Sequence, residues 1–127
     1  MKHAINWFEI PVQDFIRAQS FYEQLFNATL TPQEPVGTES KMAFLPADLE
    51  NGGIGGCIIS GSGYQPSTAG ALVYLNGGDN LSGPLERVEK AGGKVVMPKT
   101  SISQHGYMAQ FIDSEGNKLA LHSPNWS

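Results

Sequence analysis

The sequence predicts an α+β fold of two successive βαβββ modules, eight strands and two main helices in all, and three observations predict it. Strand-like and helix-like segments follow one another in the same order twice. The two runs are separated by GSGYQPSTAG at 61–70, whose composition is that of a linker. Shifting the chain by 65 residues lays the punctuation of one half on the other: Trp7 on Leu72, Asp14 on Asp79, Asn27 on Gly92, Asp48 on Asp113, Glu50 on Glu115 and Cys57 on His122. Few identities survive that shift, so what repeats is the order of elements. With 127 residues the chain has room for one domain, with module 1 at about 1–60 and module 2 at about 71–127.

Residues 5–12 (INWFEIPV) alternate as a strand, with Phe8 and Ile10 on one face and Trp7 and Glu9 on the other. Asp14 stands where a helix N-cap belongs. The apolar stripe Phe15, Ala18, Phe21, Tyr22, Leu25 and Phe26 then runs about three turns to Asn27, a residue that tolerates a left-handed cap. Residues 28–39 offer only a weak strand, whereas 41–46 and 54–60 are stronger ones. In the second half 71–75 (ALVYL) is a strand, and Asp79 or Ser82 is placed to cap a helix with Pro84 in its first turn. Leu85, Val88 and Ala91 form its buried face, and Gly92 and Gly93 end it. KVVMP at 94–98 is a strand, and 107–113 with 117–122 form a hairpin across DSEG.

Composition removes several classes of function. The net charge is −4 and no two Lys or Arg residues are adjacent, which argues against nucleic acid and anionic membrane surfaces as partners. No apolar run approaches the length of a membrane span, and MKHAINWFEIPV lacks the apolar core of a secretory leader. A single cysteine, Cys57, permits no internal disulfide and no CxxC metal spacing. The expectation is a cytoplasmic protein that binds a small molecule.

The opening WFEIPVQDFIRAQSFYEQLF, the helix end VEKAGGKVVMPK and the closing FIDSEGNKLALH resemble the vicinal-oxygen-chelate superfamily, which includes glyoxalase I, bleomycin-resistance proteins, fosfomycin-resistance enzymes and extradiol dioxygenases. The resemblance spans the whole chain and implies a curved mixed sheet around a pocket, often completed by dimerisation, so a homodimer is expected. It also implies a divalent metal held by His, Gln or Glu from the first and last strands of each module. Carried onto this chain, those places fall at Trp7, near Gly55, at Leu72 and at Ala120, none of which offers a lone pair to a cation. No metal and no cofactor are therefore expected.

Alternation places Glu9 beside Trp7, Tyr74 beside Leu72 and His122 beside Ala120 on the pocket side, and the repeat sets Cys57 opposite His122. Glu9 and His122 are the candidate acid/base pair; the plainer readings are a paired or solvated carboxylate and a histidine at the sheet margin. Trp7 and Tyr74 can stack on a flat ligand or pack between sheets, and Met42 or Met108 can join the lining. Cys57 lies among Gly and Ile and reads more naturally as a small buried hydrophobe than as a nucleophile. His105, in SISQHGY, sits on a loop able to cover the pocket mouth or to face solvent.

Three functions follow as expectations: a metal-free protein binding a small, partly apolar ligand, a metal-independent lyase, isomerase or transferase using Glu9 and His122, and a dimeric interaction module with a vestigial pocket. The residues expected at a ligand are Trp7, Glu9, Cys57, Leu72, Tyr74, His105, Ala120 and His122.

Overall fold

The first module begins with β1 (Trp7–Pro11), whose Ile10 is buried while its neighbours Trp7 and Glu9 are exposed. A computed structural model describes residues 1–33 and 40–125. After β1, Asp14 in extended geometry accepts a hydrogen bond from the Arg17 amide and so satisfies one free N–H of α1 (Phe15–Phe26). Phe15, Ala18, Phe21, Tyr22 and Leu25 form the buried stripe. Asn27 closes the helix at φ 51°, a left-handed position that asparagine tolerates.

The module continues through β2 (Thr31–Gln33), β3 (Lys41–Phe44) and β4 (Gly55–Ser60). β2 is the short remnant of the weak strand expected at 28–39, and residues 34–39 lie outside the described residues. The second module repeats the order with β5 (Tyr74–Asn76), α2 (Ser82–Arg87), β6 (Lys94–Ser101), β7 (Tyr107–Ile112) and β8 (Lys118–Ser123). The strands form two four-stranded mixed sheets, β1-β4-β3-β2 and β5-β8-β7-β6, with parallel β1–β4 and β5–β8 pairs and antiparallel neighbours elsewhere. Among the described residues no helix is long and apolar enough to cross a membrane.

The two sheets are not closed on each other: β1 and β5 each end a sheet without pairing to the other. Leading into β5, Ser67 O accepts the Lys118 amide at 3.2 Å and Val73 O the Ala120 amide at 2.9 Å, so this stretch lies beside β8. Two expectations need correction. First, neither Asp79 nor Ser82 caps α2; its N-cap is Leu81, fully buried and unable to cap by side chain. Asn80 Oδ1 instead accepts the Ser82 amide at 3.0 Å. Second, α2 is only six residues long, and the path from Val88 to Gly92 is hydrogen-bonded turn ending at φ +109°.

One core serves both modules, with Ile10, Phe21, Tyr22 and Ile58 joined to Leu75, Val88, Phe111 and Leu121. Arg87 fastens the helices together by donating to the terminal carbonyls of α1, Gln24 O and Leu25 O, both at 2.9 Å.

The tightest link between modules is the DSEGN turn between β7 and β8. Glu115 accepts from the Gln13 and Asp14 amides at 3.0 and 2.7 Å, from Arg17 Nε at 2.7 Å and from Ser114 Oγ at 2.9 Å. Buried Asp113 accepts from the Tyr22 hydroxyl at 2.6 Å and from the Glu115 and Asn117 amides. Asn117 Nδ2 donates to Pro11 O at 2.7 Å, and its Oδ1 accepts the Ser67 amide at 3.0 Å. Gly116 turns the chain at φ +94°, which a side chain would strain.

Burial works to raise the Glu115 carboxyl, but the hydrogen bonds from Arg17, Asp14, Ser114 and Gln13 outweigh it and hold the group at about 2. The folded value lies below the ordinary 4.5, so this stabilisation is complete above that value and is lost as pH falls towards about 2. Urea unfolding at several pH values is expected to show that loss in the native chain and a flatter profile in Glu115→Gln. At pH 7, Tyr22→Phe is expected to cost about 2 kcal/mol, since it removes a buried hydrogen bond to a carboxylate.

Candidate functional site

The parallel register of β1 and β4 pairs Trp7 with Gly55 and Glu9 with Cys57. Cross-strand pairing carries the same face to Phe44 and Met42 on β3 and to Thr31 and Gln33 on β2. In the second sheet Tyr74 and Asn76 share a face with Ala120 and His122, and beyond them with Gln110 and Met108. Glu9↔Cys57 and Tyr74↔Ala120 are thus equivalent pairs, and Cys57 corresponds to Ala120, not to His122 as the uniform 65-residue shift suggested. The shift fails there because the β3–β4 connection, which contains the 3-10 turn Leu49–Asn51, is longer than the tight β7–β8 turn.

The first sheet holds an aromatic cavity of about 340 Å³ lined by Trp7, Phe44, Thr31, Gln33, Leu49 and Gly55, among others. Trp7 meets Phe44 edge to face, with centroids 5.2 Å apart and planes at 77°. The indole packs over Gly55: a Cβ there would fall 2.9 Å from Leu49 Cδ2 and 3.1 Å from Trp7 Cζ3. Trp7 nevertheless keeps 37% of its surface exposed. Phe44, Thr31 and Gln33 escaped the sequence reading. Alternation from Met42 points to Phe44, but the pairing that brings β2 alongside has no local signal.

Glu9 and Cys57 are adjacent, with Cys57 Sγ 3.9 Å from Glu9 Oε2. Burial first, and the Glu9 charge second, push the thiol up to about 12, so it stays protonated and packs as a small apolar side chain. Leu72 precedes β5, and with Tyr74, Phe8, Phe26 and Ile54 it lines an apolar gap of about 500 Å³ between the β1 and β5 edges.

His122 lies on β8, an interior strand, so it does not cap a sheet edge. Its Nε2 is 2.7 Å from the carbonyl oxygen of His105. A carbonyl only accepts, so Nε2 carries the proton and Nδ1 is the nitrogen left for a ligand. His105 thus engages the site through its backbone, and its own residue is exposed. Tyr74, Asn76 and His122 share one open depression, while Ala120 is fully buried beneath it. The structure therefore brings Glu9 to Cys57 and Tyr74 to His122, but no described cavity is lined by both Glu9 and His122.

The positions at which the resemblance puts metal ligands carry an indole, a hydrogen, an isobutyl group and a methyl group, at Trp7, Gly55, Leu72 and Ala120. None can donate a lone pair to a cation. Among the described residues no three His, Cys, Asp or Glu side chains are grouped to hold a metal ion. At those four positions the side chains do not fit a divalent metal.

The fold defines an α+β domain of tandem βαβββ modules. The model of the Glyoxalase/Bleomycin resistance protein/Dioxygenase superfamily matches residues 4–121, and the chain belongs to that superfamily. No curated protein gives a significant match. Among solved structures, the chain is similar to a glyoxalase I variant from Zea mays, with a TM-score of 0.71 and 21% identity over 92% of this chain and 44% of that one. It is also similar to TnmS3, an antibiotic binding protein from Streptomyces sp. CB03234, with a TM-score of 0.66 and 23% identity over 98% and 97%. The fosfomycin resistance protein FosX from Listeria monocytogenes gives a TM-score of 0.60 and 17% identity over 97% and 92%.

Gly55→Ala is expected to displace the indole. In a Trp126→Phe background, where Trp7 is the sole tryptophan, its emission should shift to the red. Cys57 should resist iodoacetamide at pH 8 in the native state and react fully in denaturant, as followed by mass spectrometry.

Proposed function

We propose that this chain captures a small, partly apolar or aromatic molecule on the Trp7–Phe44 wall without a metal ion. The observation that carries this reading is the Trp7 ring lying over Gly55, which puts a stacking surface where the superfamily's ligands would stand. At about 340 Å³ the cavity falls within the range of small-molecule sites, roughly 300–1,000 Å³. Thr31 and Gln33 offer hydrogen bonds at its margin. The antibiotic-binding relative TnmS3, similar along its whole length, supports capture as the mode of action. Trp7 and Leu49 leave apolar surface exposed at this cavity, and a second copy of the chain covering them would complete the pocket. A single buried cysteine suits the cytoplasm.

A second reading rests on the His122 tautomer. With Nε2–H held by His105 O, Nδ1 stands beside Asn76 and Tyr74 as a general base for metal-independent lyase, isomerase or transferase chemistry. Glu9 would then serve a different step or ligand, because it opens into another cavity.

Calorimetric titration with a panel of small planar aromatic compounds tests the first reading. Binding is expected to persist within twofold in excess EDTA and to weaken at least tenfold in Trp7→Ala, about 1.4 kcal/mol. Loss of binding on chelation, or unchanged affinity in Trp7→Ala, would contradict it.

A further inference from the structure

The cleft where β1 meets the start of β8 is separate from the Trp7–Phe44 cavity and differs from it in chemistry. Glu9 and Pro11 form one wall, Lys118 and Asn117 another, and Ala69, Ala71 and Val73, leading into β5, a third, around about 230 Å³. Two opposite charges line one small space and do not satisfy each other. The ion pair present among the described residues is Arg17–Glu115, and the sole polar contact of the Glu9 side chain is the thiol of Cys57 at 3.9 Å.

The walls are held in place independently of any ligand. The Lys118 amide donates to Ser67 O at 3.2 Å, the Ser67 amide to Asn117 Oδ1 at 3.0 Å, and Asn117 Nδ2 to Pro11 O at 2.7 Å. Linker, β8 and β1 are therefore tied around the cleft, which leaves the Glu9 and Lys118 side chains as the parts to be ordered on binding. The volume lies below the roughly 300–1,000 Å³ of sites for drug-sized molecules, which selects something smaller.

We propose that this cleft is a second binding site that takes a small zwitterion of the α-amino-acid class, its ammonium on Glu9 and its carboxylate on Lys118. A molecule bearing both charges closes the distance that the two side chains leave open and satisfies both, whereas a simple acid or amine satisfies one and leaves the other facing a like charge or none. The apolar parts of Pro11, Ala71 and Val73 leave room for a short aliphatic side chain.

The test is an NMR titration of 15N-labelled protein with alanine, and with acetate and ethylammonium as single-charge probes. Alanine is expected to shift the amides of Ala69, Ala71, Val73 and Lys118 saturably and to bind at least tenfold tighter than either control. Glu9→Gln and Lys118→Met should each weaken alanine at least tenfold, and Lys118→Arg should largely retain it. Three equally weak probes, or undiminished alanine binding in Lys118→Met, would overturn the proposal. Should Glu9→Gln lower the melting temperature, the Lys118 pair of variants carries the test alone. Aromatic compounds should bind Lys118→Met as they bind the native chain, so failure of this site is distinguishable from failure of the Trp7–Phe44 reading.

Discussion

Two carboxylates in one tight turn hold the modules together. Asp113 and Glu115 stand five and three residues before β8 and accept hydrogen bonds from residues about a hundred positions away, at Gln13, Asp14, Arg17 and Tyr22. A buried carboxylate without partners would cost far more than the turn could return. Here the amides entering α1, a guanidinium and a phenol satisfy both groups. The side chains of the turn thereby fix where β1 ends and where α1 begins. The Trp7 and Glu9 faces inherit their positions from that junction.

The same turn reaches the linker: Asn117 ties the end of β1 to Ser67, and the chain leading into β5 lies beside β8. The unpaired edges leave clefts instead of hydrogen bonds, one apolar and one lined by charge. Further along β1, the indole and Leu49 take the space above Gly55. The side chains on this scaffold thus fall into separate groups: the Trp7 and Phe44 rings, the opposite charges of Glu9 and Lys118, and the His122 imidazole held by the His105 carbonyl.

Local signals made much of the fold legible. The Asp14 cap, the α1 stripe, the Asn27 stop and the DSEG hairpin are written in neighbouring residues, and each appears where those residues place it. The element order and the superfamily likewise follow from the sequence. What escaped depends on contacts distant in the chain. The Cys57 counterpart was misplaced because loops of unequal length break a uniform shift. Phe44 and Lys118 gained their positions from cross-strand register, and His122 met His105 through a backbone carbonyl, which no side-chain pattern encodes.

The central claim is that an indole packed over glycine has replaced a metal seat. Metal content per chain tests this most directly, measured by plasma mass spectrometry on protein purified without an affinity tag that binds metal and without chelators. The account predicts far less than one equivalent of any transition metal. A stoichiometric metal would contradict it and place the ligands elsewhere in the chain.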